Sequence, residues 1–342
     1  MALKKDSAQI GQSEALDIHL APKDALSLHS YVRQKNLILA YLIIPLVLLF
    51  CAIDAVFFAR SLSVGLPDSP EKVLLFALFF NFPHITASSL LFLNERYLSV
   101  YRKKILLGII LATGVCAVIP LTIGFYYLLL LYGFLTINHV IGQQVGLCRT
   151  GLSSIGTVFK LWNWTSVLLG NVIYVLIYFK TLGFLDSKAL VMISSILLGA
   201  SSLSGLAICR KATTNDSRAF IAANQLMLVT IFILAFFDYP FFVILIPRLI
   251  HDVCAFMVYY SHDKNRLYSE PKTPIQNVVG FFGIPAVWAT PIVALIFAFP
   301  LTIYIGNTYG EIAGIGFTLF HYYTEAFAWK RGSEMRSYVS FR

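Results

Sequence analysis

Residues Pro247–Arg266 read PRLIHDVCAFMVYYSHDKNR, and this stretch decides the fold. It sets two His-Asp pairs, His251-Asp252 and His262-Asp263, on one helix whose body is apolar enough to lie in lipid. The two histidines are eleven residues apart. That is close to three helical turns, so they share nearly one stripe but stand roughly 16 Å apart along the axis. They cannot share one small ion. An ionisable side chain inside a membrane helix is costly and marks a functional position, so the question becomes which other side chains meet His251.

Composition agrees with a bilayer as solvent. The 342 residues are 58% hydrophobic and only 13% charged, with mean hydropathy +0.76, which reads as a polytopic membrane protein and excludes a soluble enzyme with a large core. The net charge of +9 needs no nucleic-acid partner, because membrane proteins concentrate Lys and Arg in cytoplasmic loops. Five cysteines, Cys51, Cys116, Cys148, Cys209 and Cys254, are scattered through apolar runs without paired spacing and read as free thiols.

Taking about 20 residues per span, apolar runs place helices near 37–59, 73–93, 105–121, 122–143, 161–179, 189–208, 219–237, 240–261, 277–300 and 310–328. Pro120 is expected to split the third from the fourth, and Asp238-Tyr239-Pro240 to divide the seventh from the eighth. With the amino terminus inside, Lys and Arg fall about five to one on the cytoplasmic side. The expected fold is therefore all-α, a polytopic transmembrane bundle of about ten spans with both termini cytoplasmic. Its parts are a cytoplasmic arm over 1–36, holding the solvated His19 and His29, a helical domain over 37–330 and a cytoplasmic tail over 331–342. A multi-pass protein of a bacterial inner membrane is the matching location.

On that topology the four intramembrane histidines all fall on even-numbered helices, which run from outside to inside. His84, His139, His251 and His321 stand about nine to twelve residues before the first charge of the following cytoplasmic loop. At 1.5 Å per residue those depths agree within roughly 5 Å. Four imidazoles in one layer of the inner membrane half predict a shared metal site. Imidazole suits iron, copper, zinc and nickel, whereas Mg²⁺ and Ca²⁺ need oxygen ligands that are sparse here.

Polar neighbours one turn away are candidates to orient the imidazoles. Asn81 and Ser88 flank His84, Gln143 follows His139, Asp252 follows His251, and Glu325 follows His321 on the same helix face. Glu325 is read as orienting His321, with direct ligation as the alternative. His262 and Asp263, with Glu95, lie at the cytoplasmic mouth and read as a solvated loop, although both stand as further candidates for the site. Asp238 and Arg248 are the remaining charges in apolar sequence, read as a structural ion pair, an interfacial position or part of the chemistry. HxxxH clusters, GxSG and HExxH are all missing from the sequence, which sets aside desaturase-type and intramembrane-protease chemistries.

Phe82-Pro83-His84, then Asn138-His139-Val140-Ile141-Gly142, then His251 with His262, and last His321, follow an order that resembles the bacterial Brp/Blh-type β-carotene 15,15′-dioxygenases. The resemblance implies a membrane-embedded non-haem iron site, O₂ as co-substrate and a lipophilic substrate such as a carotenoid or other lipid. Beside this iron-dependent oxygenase, two other functions stay open: electron transfer through haem held by two histidines, and a proton-coupled transporter.

Overall fold

The structure is a computed structural model that describes residues 30–154, 156–178, 186–304 and 308–341. It is all-α, and its described residues form no strand, only two isolated bridges. Among the described residues, nine helices are long and apolar enough to cross a membrane. They are α1 (Gln34–Phe57), α2 (Leu74–Leu93), α3 (Glu95–Thr122), α4 (Phe125–Gly151), α5 (Thr157–Tyr178), α6 (Ser187–Cys209), α7 (Asn215–Phe236), α8 (Pro240–Ser269) and α9 (Ala286–Ile303). A tenth, α10 (Thr308–Ala328), lies in the same bundle but is less apolar, because it carries Glu311, His321 and Glu325. His19 and His29 lie outside the described residues.

Burial sorts the helices into an inner and an outer set. In α2 and α8, 61% of the most apolar window is buried, against 17% in α3 and 28% in α1. The exposed faces of the outer helices are apolar, as at Leu42, Leu46 and Leu49 of α1 and Leu106, Ile109 and Ile110 of α3. Exposed aliphatic belts of this kind suit lipid and would be untenable in water. The two inner helices are those that carry His84 and His251.

The breaks have local causes. Pro120 does not end α3. The helix runs through it to Thr122, and the chain reverses at Gly124, whose φ of 110° an L side chain rarely adopts. The lack of a proline N–H disturbs only the preceding turn, whereas a left-handed residue turns the backbone itself. Asp238, with φ 61°, does separate α7 from α8. The ninth apolar run is interrupted. Pro274–Phe281 forms a short helix, the chain turns at Gly283 with φ 73°, and α9 follows.

Prolines also shape the two inner helices. Pro83 cannot donate to the carbonyl one turn back, and the turn before it widens to π geometry over Ala77–Asn81. Pro247 sits inside α8 one turn before His251. Both irregularities fall just ahead of a histidine.

The two described ends of the chain meet at one end of the bundle. Val32 N–H donates to the Ser340 carbonyl at 2.9 Å, and Asn265 near the end of α8 bonds both Ser30 and the Tyr338 carbonyl. The segment after α10 is therefore packed, with Met335, Tyr338 and Val339 buried, where the sequence reads as a tail.

Candidate metal centre

α2, α4, α8 and α10 deliver His84, His139, His251 and His321 to one point, where one nitrogen from each ring lies within 4.8 Å of the others. The rings form a closed square. Centroids are 4.8 Å apart for His84–His251, 4.9 Å for His251–His139, 5.0 Å for His139–His321 and 4.6 Å for His321–His84, each pair edge to face. His84, His251 and His321 are at most 2% exposed.

Hydrogen bonds set the tautomers of two of the rings. Ser88 Oγ donates to the Ile85 carbonyl at 2.8 Å, so at 2.6 Å it accepts from His321 Nδ1–H. The proton on Nδ1 leaves His321 Nε2 with a lone pair directed into the square. Tyr259 Oη donates to Glu325 Oε1 and accepts from His84 Nδ1–H at 3.4 Å, which frees His84 Nε2 in the same way. His84 Nε2 and His251 Nε2 stand 3.1 Å apart. Among the described residues, His139 Nε2, His251 Nδ1 and His321 Nε2 are buried with no hydrogen-bond partner.

These nitrogens fit a transition-metal ion. An ion bonded to imidazoles at about 2.0–2.1 Å, at angles between square and tetrahedral, holds neighbouring nitrogens roughly 2.9–3.4 Å apart. The 3.1 Å between His84 and His251 falls in that range, and the four nitrogens together lie within 4.8 Å of one another. Buried imidazole nitrogens without partners are costly, and a cation in the square offsets that cost at His139 Nε2 and His321 Nε2. The donor set is compatible with several metals of the first transition row.

The polar neighbours are arranged differently from their spacing in the sequence. Ser88, one turn from His84 on α2, serves His321 on α10. Glu325, one turn from His321, reaches across to α4, with Oε2 3.4 Å from His139 Nε2. Glu325 also accepts from Tyr259, from Gln143 Nε2 at 3.0 Å and from Trp329 Nε1 at 3.3 Å. Gln143 thus holds Glu325, and does not hold the neighbouring His139. Asn81 Oδ1 accepts from Arg248, whereas the sequence pairs it with His84. Asp252 is fully buried and makes no hydrogen bond to His251. Helix spacing gives the face on which a side chain lies, but the polar atom it meets belongs to whichever helix packs there.

His262 and Asp263 are not in the square, and neither is solvated. Both are buried, in a second polar cluster near the end of α8. Tyr97 Oη meets His262 Nε2 at 2.9 Å, His262 Nδ1 meets Asp263 at 3.0 Å, and Thr290 donates to Asp263 at 2.5 Å. The stacked pair Tyr259–Trp329 lies between this cluster and the square. Glu95 is exposed. Asp238 and Arg248 do not form an ion pair. Asp238 lies exposed in the turn before α8, whereas Arg248 is buried about 12 Å further along that helix.

No match emerges from comparison with protein-family models, curated proteins or solved structures. The site therefore rests on its own geometry. Two partners escaped the sequence reading altogether. Tyr259, eight residues after His251, supports His84 on another helix, and Tyr322 stacks on His139 with centroids 4.4 Å apart. Nothing in their spacing marks either of them, since both act across a helix interface.

A cavity of about 750 Å³ adjoins the square on the side away from His262. Asn81, Thr136, Arg248 and Thr318 line it, each three residues before a histidine of the square. Four helices presenting the same offset to one cavity run in the same direction, and the histidine layer is the floor beneath it.

Proposed function

We propose that the chain is an integral-membrane oxygenase in which His84, His139, His251 and His321 hold a non-haem iron that acts with O₂ on a lipophilic substrate. The observation that carries this reading is the closed square of imidazoles, with one nitrogen of each within 4.8 Å of the others. Iron in such a site supplies the redox chemistry with O₂ that no side chain provides. The order of histidine motifs, which resembles the Brp/Blh-type dioxygenases, supports the same choice of metal.

The chain's own residues would orient the ligands and exclude water. Ser88 and Tyr259 keep the Nδ1 protons of His321 and His84 outside the square. Glu325 supplies negative charge beside His139, where it offsets part of the charge of a cation. Burial of the rings shields the site from bulk water. Haem is a poorer fit, because adjacent rings at 4.6–5.0 Å leave no slot for a flat macrocycle. Cytoplasmic placement of the shared end of the bundle follows from its Lys and Arg content.

Metal analysis of the protein purified in mild detergent tests the reading. Near-stoichiometric iron is expected, with loss of iron and retained helicity when any one of the four histidines becomes Ala. His262→Ala should keep the iron, because His262 belongs to the separate Tyr97–Asp263 cluster. A preparation without transition metal, or one in which two of the four Ala variants keep full metal content, would overturn the proposal.

A further inference from the structure

We infer that Tyr259, Trp329 and the hydrogen-bonded pair Tyr97–His262 form an electron path from the metal centre to the aqueous end of the bundle, with Tyr97 as the residue that is oxidised. The inference rests on the reading of the histidine square as a redox metal centre. It gives the His262-Asp263 pair a role other than ligation.

The path is a run of ring contacts. The Tyr259 ring lies against the His84 ring, with centroids 5.7 Å apart and planes within 9° of parallel. Trp329, the residue after α10, stacks on Tyr259 at 5.6 Å. The His262 ring meets Trp329 edge to face at 5.8 Å, and Tyr97 Oη bonds His262 Nε2 at 2.9 Å. Each centroid separation lies within the roughly 4.5–7 Å of an aromatic contact, so no aliphatic layer interrupts the run. His262 stands eleven residues beyond His251 of the square on α8, so the path covers about 16 Å of the bundle. Tyr322 also touches the square, stacked on His139, but its hydroxyl donates to Thr136 at the cavity and leads away from this end.

Hydrogen bonds at the far end prepare one phenol for oxidation. A tyrosine that loses an electron becomes a strong acid, so the radical persists only where a base takes the proton. Asp263 Oδ1 accepts from His262 Nδ1–H at 3.0 Å, and Asp263 Oδ2 accepts from Thr290 at 2.5 Å. With the imidazole proton on Nδ1, the Nε2 lone pair is left to accept from the Tyr97 hydroxyl. In the step, Tyr97 loses one electron through Trp329 and Tyr259 to the metal centre, and its proton moves to His262 Nε2. The products are a neutral tyrosyl radical, an imidazolium held against Asp263, and a metal centre reduced by one electron. The oxidant is a metal centre that O₂ or peroxide has oxidised in the absence of substrate. A soluble thiol or ascorbate then returns the electron to Tyr97, and His262 returns the proton. Arg96, the residue before Tyr97, is exposed and pairs with Glu270 and Glu334, which places the phenol just beneath the aqueous surface. The path thereby clears oxidising equivalents from the square before they damage its ligands.

Packing alone would use the rings and not their polar atoms, and an electron path would use both. Full-length protein in mild detergent is loaded with iron, its iron content is measured, and hydrogen peroxide is added without substrate before freezing for electron paramagnetic resonance. A neutral tyrosyl radical is expected, with a hyperfine pattern that narrows when the protein carries ring-deuterated tyrosine. Tyr97→Phe, which keeps the ring, and His262→Ala should each lose the signal while keeping the iron. Trp329→Phe should lose it as well, and it serves as the test if neither variant at the far end folds. Tyr322→Phe should retain the signal, and metal-free protein should give none. An undiminished signal in Tyr97→Phe or Trp329→Phe at equal iron content would overturn the inference. So would loss of the signal in Tyr322→Phe, a radical in the metal-free protein, or an iron-loaded protein that yields no radical. A preparation that binds no iron overturns the metal centre and the path together, so the iron measurement tells the two failures apart.

Discussion

Ser88→Ala isolates one supporting contact of the metal centre. Ser88 Oγ accepts the Nδ1 proton of His321 at 2.6 Å, and both residues are at most 2% exposed. Removing the hydroxyl leaves that N–H without an acceptor whenever Nε2 is bound to metal. In the metal-free protein the ring can change tautomer and relieve the penalty. The loss therefore falls on binding and not on folding. An unsatisfied buried donor costs about 1–3 kcal/mol, and at ~1.4 kcal/mol per tenfold the affinity should fall by about 5–140-fold. Loss of an outer partner of a metal-bound histidine typically has an effect of the same size. The assay is competition with a chromogenic chelator for Fe²⁺ or Zn²⁺ in detergent, with helicity followed by circular dichroism. Ser89→Ala is the matched control, since Ser89 reaches the same Ile85 carbonyl at 3.3 Å but no histidine. An affinity within twofold of the parent in Ser88→Ala, with helicity unchanged, would refute the tautomer argument.

Two further substitutions examine the carboxylate and the fold. Glu325→Gln should leave the fold intact and keep much of the metal at an affinity about 10–100-fold lower. Gln143 Oε1 is buried without a partner, so turning that amide over gives the new side chain an acceptor; metal loss as complete as in His321→Ala would instead make Glu325 a ligand. Gly124→Ala should destabilise the protein by about 1–3 kcal/mol, because it forces a methyl side chain into positive φ at the α3–α4 turn. Pro120→Ala should not, and a thermal-unfolding comparison of the two variants checks whether Gly124 or Pro120 makes the reversal.

Helix content is a one-dimensional property, and the sequence alone determined it; of the ten spans it suggests, nine among the described residues are helices apolar enough to cross a membrane. Backbone groups in lipid must bond within their own segment, so each run of about 20 apolar residues becomes a helix. The common layer of His84, His139, His251 and His321 was legible for the same reason. Constant rise per residue converts distance from a loop charge into a level along the helix, and the four rings do meet at one level of the bundle. Depth says nothing about azimuth or about which helix is neighbour to which. Packing therefore decided that Ser88 serves His321, that Glu325 reaches His139, and that Tyr259 supports His84 from α8. Packing also buried His262 and Asp263, which the sequence places at a solvated mouth, because α3, α9 and the segment after α10 close over the end of α8. Arg248 shows the limit most sharply. Its charge is plain in the sequence, but its place on the floor of a cavity exists only once helices from both ends of the chain have come together.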